Sequence, residues 1–264
     1  MVGGGGVKII SLGWGVQSFT LAAMVALGEL EPVDAAIHAD TTHESALTYD
    51  FARRWTPWLK ERGVMVTTIK PERADVVFPE YKNRVEIPAY TVNMYGENAQ
   101  VRRQCTGNWK IEPIKRYLSL ELDKFGLKKT PGVVEQWIGI SLDEFQRMKE
   151  NKVQYIENRW PLIEKRMTRN DCENWLRAHD LEVPPKSACT FCPYHSTAEW
   201  RRIKNTPGDW TEAVNIDREI RNASPFGMYI HPSRKPLESV DFRTAEEKGQ
   251  LSLWDQECDG ICGI

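Results

Sequence analysis

Apolar and polar positions in the N-terminal part of the chain follow two alternating periods. Short apolar, β-branched runs are typical of strands buried in a parallel sheet, and the longer stretches between them have helical spacing. The predicted elements, in order, are strand Val7–Leu12, helix Ser18–Leu27, strand Val33–His38, helix Ala46–Arg62 and strand Val64–Ile69. This alternation predicts an α/β fold with a doubly wound, mostly parallel sheet and right-handed crossovers.

The remainder of the chain is less regular. Lys70–Gln100 is punctuated by prolines and predicts a long functional loop, whereas Val133–Ile140 predicts a later strand. Helical spacing recurs at Lys110–Leu122, Asp143–Lys149, Arg169–Ala178, Thr197–Lys204 and Trp210–Asn222. We therefore expect a flexible glycine-rich lead-in over residues 1–6, an α/β domain over 7–160, and a helical, cysteine-containing region over 161–264 packed on the same core.

Composition narrows the class of protein. The 264 residues are 41% hydrophobic and 27% charged, with a formal net charge of −2, so no global basic field attracts the chain to nucleic acid or membrane. No stretch approaches the roughly 20 apolar residues of a membrane span, and the N-terminus lacks a signal-peptide pattern. A cytoplasmic protein is expected, in which the six cysteines stay reduced and bind metal or act in redox chemistry.

The segment from Ser11 to Ser18 separates the first strand from the first helix. Gly13 and Gly15 permit a tight turn with inward-facing N–H groups, and the helix N-terminus adds partial positive charge, which together favour an anion. The segment is neither a Walker A loop nor a dinucleotide-binding fingerprint. An ordinary turn in which small residues relieve crowding is the alternative.

This loop resembles the S-G-G-x-D-S motif of the PP-loop family, which includes N-type ATP pyrophosphatases and phosphoadenosine-phosphosulfate (PAPS) reductases. Gly15 and Ser18 match the motif, while Gly13 replaces its first serine, Trp14 a glycine and Gln17 the aspartate. The resemblance implies a doubly wound nucleotide-binding domain over 7–160. It also implies ATP or a PAPS-like adenine nucleotide as the ligand.

Three further segments resemble the same family, one of which is Trp160-Pro161-Leu162 with the helix around Met167–Trp175. Asp40-Thr-Thr-His-Glu44 is similar to its Asp-Thr-Gly-x-x-Glu region, and an aspartate at the carboxyl end of a parallel strand is well placed for a ligand. The segment from Gly139 to Arg147 resembles a second region that contributes to the anionic pocket, although Glu144 and Arg147 also fit a surface ion pair. The residues that the resemblance assigns to nucleotide binding are Ser11, Gly13, Gly15, Gln17, Ser18, Asp40, Glu44, Gly139 and Arg147.

The cysteine spacing is the sharpest local signal. Cys189-Thr-Phe-Cys192 brings two sulfurs within reach of one metal, but such a turn alone leaves zinc, iron-sulfur and dithiol redox chemistry open. Cys105 lies 84 residues upstream of Cys189, beside Gln104. Iron-sulfur sulfonucleotide reductases carry a Cys-Cys pair and then a C-x-x-C at a similar distance. The resemblance implies a 4Fe-4S cluster on Cys105, Cys189 and Cys192.

The C-terminal tail contributes two more cysteines, Cys258 and Cys262. Glu257-Cys258 resembles the reductase ending whose cysteine attacks the substrate sulfur, which implies a catalytic role for Cys258. Cys262 lies outside that pattern. It is a candidate fourth ligand, either of the cluster or of a zinc site built from Cys189, Cys192, Cys258 and Cys262.

Three functions follow from these motifs. The first is sulfonucleotide reduction, with a thiol-reductant protein as partner. The second is ATP-dependent sulfur transfer to a nucleobase or nucleic acid, with a sulfur donor as partner. The third is a zinc-stabilised, non-catalytic nucleotide-binding module. A homodimer is compatible with each of them, and no membrane partner is expected.

Overall fold

The computed structural model describes residues 6–78, 84–244 and 247–248. Its strands are β1 (Val7–Ser11), β2 (Ala35–Ala39), β3 (Val66–Ile69), β4 (Val77–Phe78), β5 (Arg84–Val85), β6 (Tyr90–Val92), β7 (Asn98–Gln100), β8 (Val134–Ile138) and β9 (Ile156–Arg159). Its α-helices are α1 (Val16–Ala26), α2 (Ala46–Glu61), α3 (Glu112–Lys124), α4 (Pro161–Glu164), α5 (Arg169–Ala178), α6 (Thr197–Lys204) and α7 (Pro207–Arg221). Shorter helical turns are a π-helical turn at Thr106–Ile111 and 3-10 turns at Leu142–Arg147 and Leu237–Ser239.

Five parallel strands form the central sheet in the order β3-β2-β1-β8-β9. β1 lies in the middle, with Ile9 opposite Ala35 of β2 on one side and Gln136 of β8 on the other. The predicted parallel α/β fold is confirmed. The fifth strand, β9, was not predicted, because only Ile156 of its four residues is buried and the other three are polar.

The alternation of side chains along the strands builds a core on each face of the sheet. On one face, Ile10 of β1 and Trp137 of β8 pack with Phe19 of α1 and with residues of α2 and α5. On the opposite face, Ile9 of β1 packs with Leu118 of α3. Helices therefore cover both faces, as a doubly wound parallel sheet requires.

A separate hydrophobic core joins two distant parts of the chain. Ile87 and Trp109 from the first part pack with Phe191, Trp200 and Ile220 from the second. The proline-rich segment predicted to be irregular forms two antiparallel pairs, β4–β5 and β6–β7. This second core brings the region around Cys105 to the C-x-x-C turn. The predicted domain boundary at residue 160 stays a prediction.

The order of the strands determines where a ligand can bind. β1 connects through α1 to β2 on one side, and β8 lies on its other side, so the carboxyl ends of β1 and β8 enclose a crevice at the topological switch point. The segments that follow β1, β2 and β8 all start at this edge. None of the described helices is both long and apolar enough to cross a membrane.

Candidate functional site

The loop after β1 leads directly into α1. Gly15 is the N-cap of α1, and no side chain among the described residues caps the helix. The Ser18 hydroxyl instead accepts from the Gly13 N–H at 3.1 Å and donates to the Gly15 carbonyl at 3.3 Å, which holds the turn together. The first N–H groups of a helix have no acceptor within it, so this turn presents donors suited to an anion.

Trp14 gives the loop its shape. Its φ of 56° lies in the left-handed region that favours glycine, which is the residue that the PP-loop motif has at this position. The indole is buried and packs edge-on against Phe51, with ring centroids 6.3 Å apart. Burial of the ring therefore stabilises a backbone conformation that costs a non-glycine residue of the order of 1–3 kcal/mol.

Gly139 closes the crevice from the β8 side. A Cβ atom at Gly139 would lie 2.7 Å from the backbone nitrogen of Ser18 and 2.9 Å from its Cα. The carboxyl end of β8 and the start of α1 thus touch through backbone alone. Ser11, at the end of β1, is paired with Ile37 on one side and Ile138 on the other, so it lies in the sheet rather than in the turn.

Gln17, in the first turn of α1, links the loop to the segment after β8. Its amide nitrogen donates to Ser141 Oγ and to Glu144 Oε2, each at 3.3 Å, and its amide oxygen accepts from Arg169 Nη1 at 3.1 Å. Arg147 pairs with Glu144 at 2.7 Å, as an exposed i,i+3 ion pair. Sequence reasoning placed Arg169 in a helix but did not connect it with Gln17, which lies 152 residues away.

Asp40 follows β2 and is held by hydrogen bonds. It accepts from the Tyr49 hydroxyl at 2.7 Å and from the Thr42 N–H at 2.8 Å. Burial raises the pKa of Asp40, whereas these two hydrogen bonds and the charges of His38 and Lys70 lower it. The lowering causes outweigh burial, so the net direction of the pKa is downward and the group is a carboxylate. Asp40 lines a cavity of about 360 Å³ with Trp14 and His38.

Glu44 lies only four residues on but faces the cysteines. Its fully buried carboxylate accepts from Lys110 Nζ at 2.8 Å and from Ser187 Oγ at 3.2 Å, and its backbone forms a bridge with Cys189. Burial lowers the pKa of Lys110, but the Glu44 carboxylate outweighs burial and the net direction is upward. An ammonium–carboxylate pair therefore stands beside the C-x-x-C turn.

Cys105, Cys189 and Cys192 line one cavity of about 100 Å³, together with Arg103, Thr106, Trp109 and Lys110. The π-helical turn that begins after Cys105 brings the first cysteine there, and the Cys105 N–H donates to the Glu86 carbonyl at 2.9 Å. Thr41 Oγ1 lies 3.5 Å from Cys189 Sγ. Burial raises the pKa of the Cys189 thiol to about 12 and also raises that of Cys192. The structure thus brings together the three predicted ligands that it describes.

Two histidines support this cavity from outside. His195 Nε2 lies 2.8 Å from the Cys189 carbonyl oxygen. His43 lies between Glu212 Oε1, 2.7 Å from Nδ1, and the Ala74 carbonyl oxygen, 2.9 Å from Nε2. Both histidines therefore brace the peptide segments that carry the cysteines or face them.

The remaining cysteines lie elsewhere. Cys172 is buried in the main core beside α1, which accounts for it as a packing residue. The predicted catalytic Cys258 and the predicted ligand Cys262 lie outside the described residues. Thr41 lies inside the motif Asp40–Glu44, and Lys110 is one of the basic residues that flank Cys105 along the chain, so sequence reasoning reached both.

Comparisons with known proteins give a limited result. No family model matches the chain, and no curated protein is significantly similar to it in sequence. Among solved structures, the chain is similar to PAPS reductase from Candida auris in its phosphate complex, at 14% identity and a TM-score of 0.42 over 67% of this chain and 74% of that one.

Proposed function

We propose that this chain is a PP-loop-type enzyme of sulfonucleotide reduction, with an adenine nucleotide at the carboxyl edge of the sheet and an iron-sulfur centre in the three-cysteine cavity. Gly13, Gly15 and Ser18 would hold the phosphates. Asp40 lies on the nucleoside side. The similarity to a PAPS reductase supports the fold of this proposal and not its chemistry.

One observation carries the proposal. The segment after β2 supplies the acidic end of the nucleotide crevice at Asp40 and then forms the wall of the cysteine cavity, where Thr41 and Glu44 contact Cys189. One short peptide segment would then contact both the sulfur-containing end of a bound nucleotide and the three-cysteine cavity. An unrelated structural metal site would have no need of this juxtaposition.

The shared cavity of the three thiols supports a cysteine-held centre. Cys105, Cys189 and Cys192 line one space of about 100 Å³, and thiolates are the usual ligands of iron-sulfur clusters. Among the described residues, no three His, Cys, Asp or Glu side chains already form a metal-binding group. Cys105, Cys189 and Cys192 would hold a four-iron cluster, and it would supply a polarisable, redox-active centre beside the substrate.

In the proposed reaction, the Cys258 thiolate attacks the sulfur of an adenylyl sulfate. An S–S bond forms, the S–O bond to the phosphate breaks, and the adenine nucleotide leaves with its phosphate oxygen. The resulting Cys-S-sulfonate is then attacked by a thiol of a reductant protein, which releases sulfite and leaves a disulfide. Lys110 and Arg103, which line the cysteine cavity, would stabilise the negative charge of the sulfonate.

A second candidate is ATP-dependent sulfur transfer to a nucleobase. The observation that favours it is the side chain of Gln104, which replaces a cysteine of the reductase pattern and accepts from Arg84 at 2.5 Å. Three thiolates then leave one iron without a protein ligand unless the tail supplies it. In this reaction ATP adenylates a carbonyl oxygen with loss of pyrophosphate, and sulfide displaces AMP. The zinc-stabilised module would release neither pyrophosphate nor sulfite.

Product analysis of anaerobically prepared protein separates these candidates. With PAPS or adenylyl sulfate and a dithiol reductant, the proposal predicts sulfite formation that is lost in Cys258→Ser. Sulfite formation that survives this substitution contradicts the reductase mechanism. Pyrophosphate release from ATP only with nucleic acid present would instead support sulfur transfer.

A further inference from the structure

Arg169 lies at the start of α5, a helix that the family resemblance covers without assigning a ligand-binding residue to it. Its Nη1 donates to the amide oxygen of Gln17, which places the guanidinium at the first turn of α1. We propose that Arg169 is a binding residue for the anionic part of the nucleotide, and that Gln17 positions it. This inference rests on the proposed function, because it assigns a ligand to the same crevice.

The position of Arg169 is fixed by its own backbone. Its N–H donates to Asp143 Oδ1 at 2.9 Å, so the start of α5 is tied to the segment after β8. Thr168 and Asp171 form a reciprocal capping box that defines the first turn of the helix. The Arg169 side chain therefore leaves a rigid point on the edge of the crevice.

The guanidinium retains donors for a ligand. Nη1 is engaged with Gln17, and Nε lies 3.3 Å from Glu173 Oε1. Within the part of the chain that the structure describes, no hydrogen-bond acceptor is recorded for Nη2, and 42% of the side chain is exposed. A planar guanidinium that is held through two nitrogens and open at the third is suited to a phosphate or sulfate oxygen.

The amide of Gln17 can satisfy its acidic and its basic neighbours at the same time. Its nitrogen donates to Ser141 and Glu144 while its oxygen accepts from Arg169, so both ends of the amide are used. A carboxylate at position 17 would face Glu144 across the distance of a hydrogen bond and would neutralise Arg169. The neutral amide therefore adds no second carboxylate to Arg169, which already pairs with Glu173, at the position where the motif has an aspartate.

Calorimetric titration of the full chain with ATP and with PAPS tests the proposal. Arg169→Ala is expected to weaken binding roughly 10- to 100-fold, as expected for loss of a hydrogen bond from a charged group. Arg177→Ala is the matched control, because Arg177 lies on the same helix and pairs with the same Glu173, at 3.2 Å. It is expected to bind like the wild type.

A charge exchange tests the role of Gln17. Gln17→Glu is expected to weaken nucleotide binding about tenfold, since it places a carboxylate against Glu144 and neutralises Arg169. In the double variant Gln17→Glu/Glu144→Gln, the two positions again carry one carboxylate and one amide in contact. The double variant should therefore recover thermal stability in the absence of nucleotide but should not recover nucleotide affinity, because Arg169 remains paired with a carboxylate.

The outcomes distinguish this inference from the proposed function. Wild-type affinity in folded Arg169→Ala overturns the role of Arg169, whereas recovery of affinity in the double variant overturns the role of the neutral amide. A wild-type chain that binds neither ATP nor PAPS contradicts the proposed function itself, and the assignment of Arg169 with it.

Discussion

A methyl group at position 139 would collide with the start of α1. The Cβ of Gly139→Ala would lie 2.7 Å from Ser18 N, 2.9 Å from Ser18 Cα and 3.0 Å from the Gln17 carbonyl carbon. All three are backbone atoms of a helix whose opposite side is packed in the main core. Neither a rotamer change nor a flexible side-chain end can absorb the contact, so β8 and α1 must separate.

The size of the effect is set by two opposing terms. Overpacking of a well-packed site costs about 1–3 kcal/mol, and a backbone collision belongs at the upper end. Alanine also restricts the unfolded chain, which stabilises the folded state by about 0.4–1 kcal/mol. We therefore expect Gly139→Ala to lower the free energy of unfolding by about 2 kcal/mol. Nucleotide binding should weaken as well, because the displaced helix start carries the N–H donors.

Urea denaturation followed by far-UV circular dichroism measures the first effect, and calorimetric titration with ATP the second. Gly208→Ala is the control, since a Cβ at Gly208 on α7 meets nothing within 4 Å. It should leave stability unchanged or raise it by up to about 1 kcal/mol. A Gly139→Ala protein as stable as Gly208→Ala would refute the close approach of β8 and α1.

Three further substitutions test individual contacts by thermal or chemical unfolding. Burial lowers the pKa of His43, but the hydrogen bonds to Glu212 and to the Ala74 carbonyl, together with the charges of Glu212 and Asp40, outweigh burial and the net direction is upward. The stabilisation is therefore complete below the unfolded pKa of about 6.5 and is lost as pH rises through the folded value. His43→Gln should thus cost more stability at pH 6 than at pH 9, and an equal cost at both would contradict the pair. Asp209 accepts from the Ala46 N–H at 3.2 Å and caps α2 from another helix, so Asp209→Ala should cost about 1 kcal/mol; no loss would exclude the cap. Trp14→Ala should cost about 3–5 kcal/mol through the cavity that it leaves, and a cost below 1 kcal/mol would show that the indole is not packed as described.

Much of the fold follows from local patterns, and the exceptions have physical reasons. β1 and β8 bury apolar side chains on both faces of the sheet, Ile9 and Ile10 in β1 and Val134 and Trp137 in β8, and these residues are visible in the sequence. β9 is an edge strand with charged and polar residues, for which periodicity gives no signal. The short pairs β4–β5 and β6–β7 depend on the second core, which joins residues more than a hundred positions apart.

The candidate site also contains residues that the sequence predicts and residues whose role depends on the tertiary structure. Cys189 and Cys192 are adjacent in a motif, and the family spacing identified Cys105, so sequence alone placed these residues together. Gln17 was recognised only as a departure from the motif. Its meaning depends on Arg169, a contact between residues 152 positions apart that no local pattern encodes. The separation of Asp40 from Glu44 likewise requires the tertiary structure, because Asp40 lines one cavity whereas the Glu44 carboxylate is buried against Lys110.

Metal analysis of anaerobically purified protein tests the central claim most directly. The proposal predicts about four iron and four inorganic sulfide per chain with a broad visible absorbance, and loss of both in Cys105→Ser, Cys189→Ser and Cys192→Ser. Cys172→Ser is the matched control, because Cys172 lies in the main core away from the cavity, and it should retain the iron. Stoichiometric zinc in the wild-type chain, or iron that survives loss of Cys105, would contradict a cluster held by these three thiols.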